Sequence, residues 1–273
     1  MATQAQKAGT FLSLHHGSGP LLMPNPFDLG SARLLQSLGF AALATTSSGF
    51  AATIGLLDGS VTREEAVAHA AAVAAAVEVP VSADLENCFA HDPEGVATTV
   101  EQAIAAGLCG CSVEDFSGGS DAHIYELAHA RDRVAAAAET AHHGPVHLVL
   151  TARAENLLHG VDDLADTIAR LQAYQEAGAD VLFAPGLVSS EDIGRVVSSI
   201  DRPLNVLVRS GSPSVAELAE LGVARVSVGG SFAWAAYNAL VEAGQELYVA
   251  GTYGYAERAS TGRAAVQAAL ERR

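Results

Sequence analysis

Basic residues are scarce in this 273-residue chain: 15 Lys+Arg stand against 31 Asp+Glu, a formal net charge of −16. Nucleic acid and anionic membrane surfaces both demand a cationic face, so neither is expected as a partner. Cysteine is scarce too. Cys88, Cys109 and Cys111 make an odd number, and the opening stretch MATQAQKAGTFLSLHHG has no charged n-region followed by an apolar run. A reducing cytoplasm is therefore the expected compartment. No apolar run reaches the roughly 18–20 residues of a membrane span, because His, Glu and Arg interrupt the Ala-rich stretches. Gly-x-Gly-x-x-Gly does not follow the first β-rich run, which weakens a dinucleotide-binding open sheet. Neither H-E-x-x-H nor H-x-x-E-H occurs among the ten histidines, which argues against zinc. No linker divides the chain, and one domain over 1–273 is expected.

What is present is a regular alternation. Eight β-rich runs, at 21–25, 41–46, 79–86, 110–115, 147–155, 181–185, 203–208 and 225–230, are separated by helical patterns. Those patterns cover 28–38, 62–77, 92–106, 121–142, 161–177, 189–199, 213–221 and 231–244. Near-continuous apolar strands between helices indicate a parallel sheet covered on its faces. Glycine punctuates the helix ends at LGF (38–40), AGL (106–108), AGAD (177–180) and LGV (221–223), the C-cap signal before an αβ loop. Eight such units predict a (β/α)8 barrel. The surplus segment 252–273 predicts a further helix.

A parallel barrel carries its active site at the C-terminal ends of its strands. Those ends hold Thr45, Thr46, Ser47 and Ser48, then Asp84 and Glu86, Glu114 and Asp115, and Arg153, Glu155 and Asn156, with Asp58 in the loop after the second run. Asp84 and Glu86, two apart on a strand, are expected to share a face. Like charges held together are relieved by a cation or a shared proton. An oxygen-rich, thiol-poor set suits Mg²⁺ or Mn²⁺; the bland alternative is helix caps and ion pairs. Arg153 is suited to bidentate capture of a carboxylate or phosphonate, or else to pairing with Glu155 or Glu114. Cys109 and Cys111 are expected to be core residues. Cys88 lies in the loop beyond the carboxylates, as a nucleophile or an inert thiol. Segment 87–92, with His91, is expected to form a flap that leads into a helix capped by Asp92 and Pro93. His159 is placed to reach the site, whereas His142 and His143 look like a solvated helix end.

The motifs MPNPFDLGSARLL, GFAALATTSSGFAATIGLLDG, VSADLEN, GCSVED, TARAENLLHG and YQEAGADVLFAPG span most of the chain in order. Together they resemble the isocitrate lyase/phosphoenolpyruvate mutase superfamily. The resemblance implies an α/β barrel whose last helix, here 252–273, is exchanged with a partner in a homodimer or homotetramer. It implies Asp84 as the direct Mg²⁺ ligand, with Asp58, Glu86 and Glu114 holding its waters. It further implies that Arg153 binds the substrate carboxylate, and that Thr46 and Ser47 hold other oxygens of a 2-oxo acid or its enolate. The expected activity is a Mg-dependent lyase or decarboxylase that makes or breaks a C–C bond beside the enolate of a small 2-oxo acid, oxaloacetate- or 2-oxoglutarate-like. Arg153, Glu114 and Cys88 are its catalytic candidates. Alternatives are a phosphonomutase or phosphonopyruvate hydrolase acting on a P–C bond, and a non-catalytic 2-oxo acid binder. Two departures are visible. No Lys-Lys-Cys-Gly-His loop follows Glu86, where the chain has NCFAHDPE, and EDFSGGSDAHIYE lacks the lysine and asparagine of phosphonomutases.

Overall fold

Each expected strand forms, shortened to the residues that pair. In the computed structural model, which describes residues 2–119 and 121–271, the strands are β1 (Leu21–Met23), β2 (Leu43–Ala44), β3 (Val81–Ala83), β4 (Gly110–Glu114), β5 (Val149–Arg153), β6 (Val181–Phe183), β7 (Leu204–Leu207) and β8 (Arg225–Ser227). All pairings are parallel, in the order β1-β8-β7-β6-β5-β4-β3-β2. The ring closes between the end strands. Ala44 N–H donates to the Pro24 carbonyl at 3.1 Å. The Asn25 side chain donates to the Thr45 carbonyl at 3.0 Å and accepts from Val228 and Gly229 N–H at 3.0 and 2.9 Å. The fold is the (β/α)8 barrel.

The helices are α1 (Gln4–Leu14), α2 (Leu29–Ser37), α3 (Ser47–Thr53), α4 (Arg63–Ala76), α5 (Pro93–Ala105), α6 (Leu127–His143), α7 (Leu164–Glu176), α8 (Ser190–Val197), α9 (Val215–Glu220), α10 (Ser231–Gln245) and α11 (Ala256–Glu271). A π-helical turn, Glu246–Ala250, extends α10. Local chemistry sets several starts. Asp92 accepts from Gly95 N–H, with Pro93 at the first helical position, and Thr62–Glu65 and Ser214–Glu217 form reciprocal capping boxes. The helix expected from 121 begins only at Leu127, because Phe116 and Ile124 form an antiparallel bridge first.

Two helices were not foreseen. The first, α1, has its signal in a Thr3–Gln6 capping box. It buries Ala8 and Phe11 against Leu21, Met23, Ala42, Cys109 and Val149 and so closes the barrel end opposite the strand C-termini. A Cβ on Gly110 would lie 2.7 Å from the Phe11 ring and 2.8 Å from the Val149 carbonyl; only glycine lets the plug seat. The second, α3, starts where the strand end was expected to continue, and it turns Ser47 over the mouth.

Strand side chains alternate, so every second residue faces the barrel axis. Inward positions carry Ser82, Ser112 and Thr151, and two residues further toward the mouth come Asp84, Glu114 and Arg153. Outward positions pack the apolar layer under the helices, including Val81, Ala83, Cys111, Val113, Leu150 and Ala152. Cys109 and Cys111 are buried as expected.

The eighth helix behaves differently from the others. Within α10 only Ala233 is buried, while Leu240, Val241, Leu247, Tyr248 and Val249 on α10 and its π-turn are exposed. The surplus helix α11 touches α2 of its own chain and buries only Ala269; residues 272 and 273 of that segment lie outside the described residues. No described helix is long and apolar enough to cross a membrane.

Candidate active site

Arg153, at the end of β5, is the centre of the mouth. Its Nη1 donates to Asp84 Oδ1 at 2.9 Å, its Nε donates to Glu155 Oε1 at 2.7 Å, and its Nη2 lies 3.2 Å from Glu114 Oε2. Its guanidinium carbon sits 5.1 Å over the Phe183 ring. Asp84 is held from the other side: Ser47 N–H donates to Oδ2 at 3.2 Å, and Thr45 Oγ1 accepts from the Asp84 N–H at 2.9 Å. Thr46, Ser47, Asp58, Asp84 and Arg153 therefore line one cavity of about 190 Å³. A second, of about 520 Å³, opens beside it and is lined by Asp58, Glu86, Glu114, Arg153, Glu155 and His159. Ser47, Asp58 and Arg153 belong to both.

Five carboxylates thus surround one guanidinium. Glu86 is pushed up to about 7, by burial first and then by Asp84 and Asp58. Burial is also the largest cause raising Asp58, Glu114 and Glu155 above the ordinary carboxylate range. The donors are hard oxygens, and their charge exceeds what Arg153 offsets. A divalent cation such as Mg²⁺ fits that donor chemistry.

The strand geometry expected for the two acidic residues differs in detail. Pairing stops at Ala83, and Glu86 takes a left-handed conformation (φ 50°), as do Cys88 (φ 58°) and Phe89 (φ 53°). The turn brings Glu86 toward Asp84, and the same turn takes Cys88 away. That thiol is fully buried, 3.6 Å from the Ser112 carbonyl oxygen in the layer between barrel and helices, and burial raises its pKa to about 12. Of the two expected readings, this placement favours the inert thiol over the catalytic one: Cys88 is buried and lines neither cavity. Nor does 87–92 hang free. Arg133 on α6 donates to the Asn87 and Ala90 carbonyls at 2.5 and 3.0 Å, and Thr99 Oγ1 donates to the Cys88 carbonyl at 2.6 Å.

His159 lies at the rim of the larger cavity, stacked on Phe116 at 3.5 Å between ring centroids, with Nε2 3.7 Å from Glu155 Oε2. Burial and then Arg153 lower its pKa. Asp115 stays out of the cavities: it accepts from the Tyr174 hydroxyl, from Arg170 and from Glu155 N–H, and so fixes the strand end that carries Glu155.

His142 is corrected. Its Nε2 donates to Asp180 Oδ2 at 3.0 Å, while His147 Nε2 meets the other Asp180 oxygen at 3.2 Å, at the barrel end away from the mouth. Among the described residues these three form the group whose His, Cys, Asp or Glu donor atoms all lie within 4.8 Å of one another. Their rings are parallel to 3° and stacked at 4.3 Å, so each imidazole addresses its own carboxylate oxygen. The trio ties α6 and the approach to β5 to the start of β6. Residues with no sequence signal beyond strand alternation also line the smaller cavity, among them Asn25, Asn205, Ser227 and Arg225.

Comparison with known proteins agrees with this architecture. The family described as phosphoenolpyruvate phosphomutase matches residues 11–248. A crystal structure from Burkholderia cenocepacia J2315, provisionally assigned as a lyase/mutase, is 46% identical with a TM-score of 0.90 over 93% of this chain and 92% of that one. An uncharacterized Mycobacterium tuberculosis protein is 33% identical over 222 residues, 81% of each chain. An oxaloacetate decarboxylase of Pseudomonas fluorescens is 27% identical over 239 residues, 80% of this chain and 75% of that protein. The chain belongs to the phosphoenolpyruvate phosphomutase family, and with it to the isocitrate lyase/phosphoenolpyruvate mutase superfamily of lyases and mutases.

Proposed function

We propose that the protein is a divalent-metal-dependent carbon–carbon lyase or decarboxylase acting on a small 2-oxo acid, with Mg²⁺ (or Mn²⁺) held at the mouth. The observation that carries the reading is the convergence of Asp84, Glu114 and Glu155 on Arg153, beside Glu86 and Asp58. Asp84 is the direct ligand in this reading, and Asp58, Glu86 and Glu114 orient the ion's waters. Mg²⁺ bound there supplies Lewis-acid stabilisation of the negative charge that develops on the 2-oxo acid as its neighbouring bond breaks.

The chain's own groups do the rest. Thr46 and Ser47 offer a hydroxyl pair at the cavity wall, positioned by the start of α3, where the Ser47 N–H holds Asp84. Arg153 stays protonated and holds Asp84, Glu114 and Glu155 in fixed positions, so the site is organised before ligand enters. His159, neutral at the rim, is a candidate to move a proton to or from the departing fragment. Phe183 and Leu158 give an apolar side to the pocket.

The carbon–carbon reading is favoured over phosphonate chemistry by the missing lysine and asparagine in EDFSGGSDAHIYE and by the oxaloacetate decarboxylase relative. The P–C reading keeps the support of the family match itself. We further infer a homodimer or homotetramer in which the C-terminal helices pack on a partner, because α10 and its π-turn leave a contiguous run of large apolar side chains exposed. The test of activity is a panel of oxaloacetate, 2-methylisocitrate, 2,3-dimethylmalate, phosphonopyruvate and 2-oxoglutarate with Mg²⁺ or Mn²⁺, followed by release of pyruvate, glyoxylate or CO₂. Phosphonopyruvate turnover alone would move the assignment to P–C chemistry. Binding without turnover across the panel would make the protein a 2-oxo acid binder.

A further inference from the structure

Two guanidinium groups line the smaller cavity, and their surroundings are opposite. Arg153 at the mouth meets three carboxylates. Arg225, on the inward face of β8, is 3% exposed and meets none among the described residues. Its Nε donates to Asn205 Oδ1 at 2.9 Å, its Nη2 donates to Thr151 Oγ1 at 3.1 Å, and its Nη1 lies 3.2 Å from His15 Nε2. His15 Nδ1 lies 2.8 Å from the Phe11 carbonyl oxygen, so that nitrogen carries the proton and Nε2 accepts from Arg225. All three partners are neutral. Three of the five guanidinium N–H groups are used, and two remain.

A buried cation is ordinarily paired, because solvation lost on burial has to be replaced by an opposite charge. The charge that acts on Arg225 is that of Arg153, which repels it; burial and this repulsion together lower its pKa to about 9. Neutral hydrogen bonds to β5, β7 and α1 position the group without neutralising it. The cavity runs from Asp58, Asp84 and Arg153 at the mouth past Thr151 and Ser227 to Arg225. An anion that entered from the mouth would therefore meet, at the bottom, a fixed guanidinium with donors to spare.

We propose that Arg225, with Thr151 and Asn205, forms a second anion subsite at the cavity floor, and that it recognises the distal carboxylate of a 2-oxo dicarboxylate whose 2-oxo acid end lies at the mouth. The inference rests on the 2-oxo acid reading above and narrows it: the substrate carries two carboxylates, and Arg225 selects for the second. Arg153, already offset by three carboxylates, organises the mouth, and the uncompensated Arg225 supplies charge recognition. A planar fork fixed by packing suits a carboxylate better than a flexible ammonium does.

The test compares near-isosteric ligands on the Mg²⁺-loaded full-length protein by calorimetry. Oxaloacetate (or its slow analogue 3,3-difluorooxaloacetate, if it is consumed) carries a carboxylate where 2-oxobutyrate carries a methyl group. Wild type is expected to prefer the dicarboxylate by at least about tenfold, the size of one charge-assisted contact. Arg225→Gln should remove that preference and leave 2-oxobutyrate and Mg²⁺ affinity unchanged. A merely structural arginine would instead lower both ligands alike, or neither, and either result overturns the subsite. If Arg225→Gln does not fold, Arg225→Lys replaces it and should narrow the preference; an undiminished preference overturns the proposal. If wild type binds both ligands equally, the subsite falls and the 2-oxo acid reading stands. If it binds neither, both fall. Inorganic phosphate or chloride competing with both ligands equally would mark a general anion site and overturn the assignment to substrate.

Discussion

Cys88 shows how one residue's fate is settled by its neighbours. The left-handed turn at Glu86 keeps that carboxylate at the mouth and sends the thiol two residues on into the core. With its pKa raised to about 12 by burial, the thiol should resist iodoacetamide at pH 8 in the folded protein. Cys88→Ala should leave turnover unchanged, and rapid alkylation or lost turnover would reinstate it as a reactive group. Asp84 stands at the opposite extreme. Asp84→Ala is expected to abolish Mg²⁺ binding in calorimetry, whereas Asp58→Ala should only weaken it, since solvent can replace a water-orienting carboxylate. Equal losses would overturn the assignment of the direct ligand. Arg153→Met removes the cation that Asp84, Glu114 and Glu155 share. A broken buried pair costs about 3–5 kcal/mol; chemical denaturation should show a loss of that order, part of it restored by Mg²⁺.

At the scale of elements, α1 has a larger role than its one amphipathic face suggests. It plugs the barrel with Phe11 and hands His15 to Arg225. Phe11→Ala should cost about 3–5 kcal/mol, as for other buried aromatic truncations. His15 adds a pH dependence. Burial, then the charge of Arg225, lowers its pKa from 6.5 to about 3, so the buried neutral ring contributes stability that is complete above pH 6.5. That contribution is lost as the pH falls toward 3, because the unfolded chain takes up the proton first. Melting curves of wild type and His15→Gln between pH 7 and 4 should converge as the pH falls; parallel curves would mean that His15 is not held neutral. The helix was missed because periodicity needs several apolar positions and α1 buries two. Its capping box was the available signal.

For the whole molecule, the exposed run on α10 and its π-turn sets the expectation for assembly. Tyr248 and Val249 are 93% and 81% exposed, an arrangement that isolated chains rarely leave uncovered over a contiguous patch. Sedimentation velocity should show a dimer or larger, and Tyr248→Asp with Val249→Asp should shift it to monomer. A monomeric wild type would remove the inferred exchange of C-terminal helices and leave the barrel as it is.

The alternation of eight strands and helices was legible in the chain because periodicity, caps and turn glycines are local properties, each set within a few residues. The acidic strand ends followed from the same reasoning, since a parallel barrel turns every strand end to one mouth. Partners were not legible. Arg153 and Asp84 are 69 residues apart, Arg225 and Thr151 are 74 apart, and Arg225 and His15 are 210 apart. Only closure of the barrel decides that, among the described residues, one arginine meets three carboxylates and the other none. Strand alternation says that residue 225 faces inward or outward, but the charge it will find there is summed over all eight strands and the plugging helix, and only the tertiary structure performs that sum.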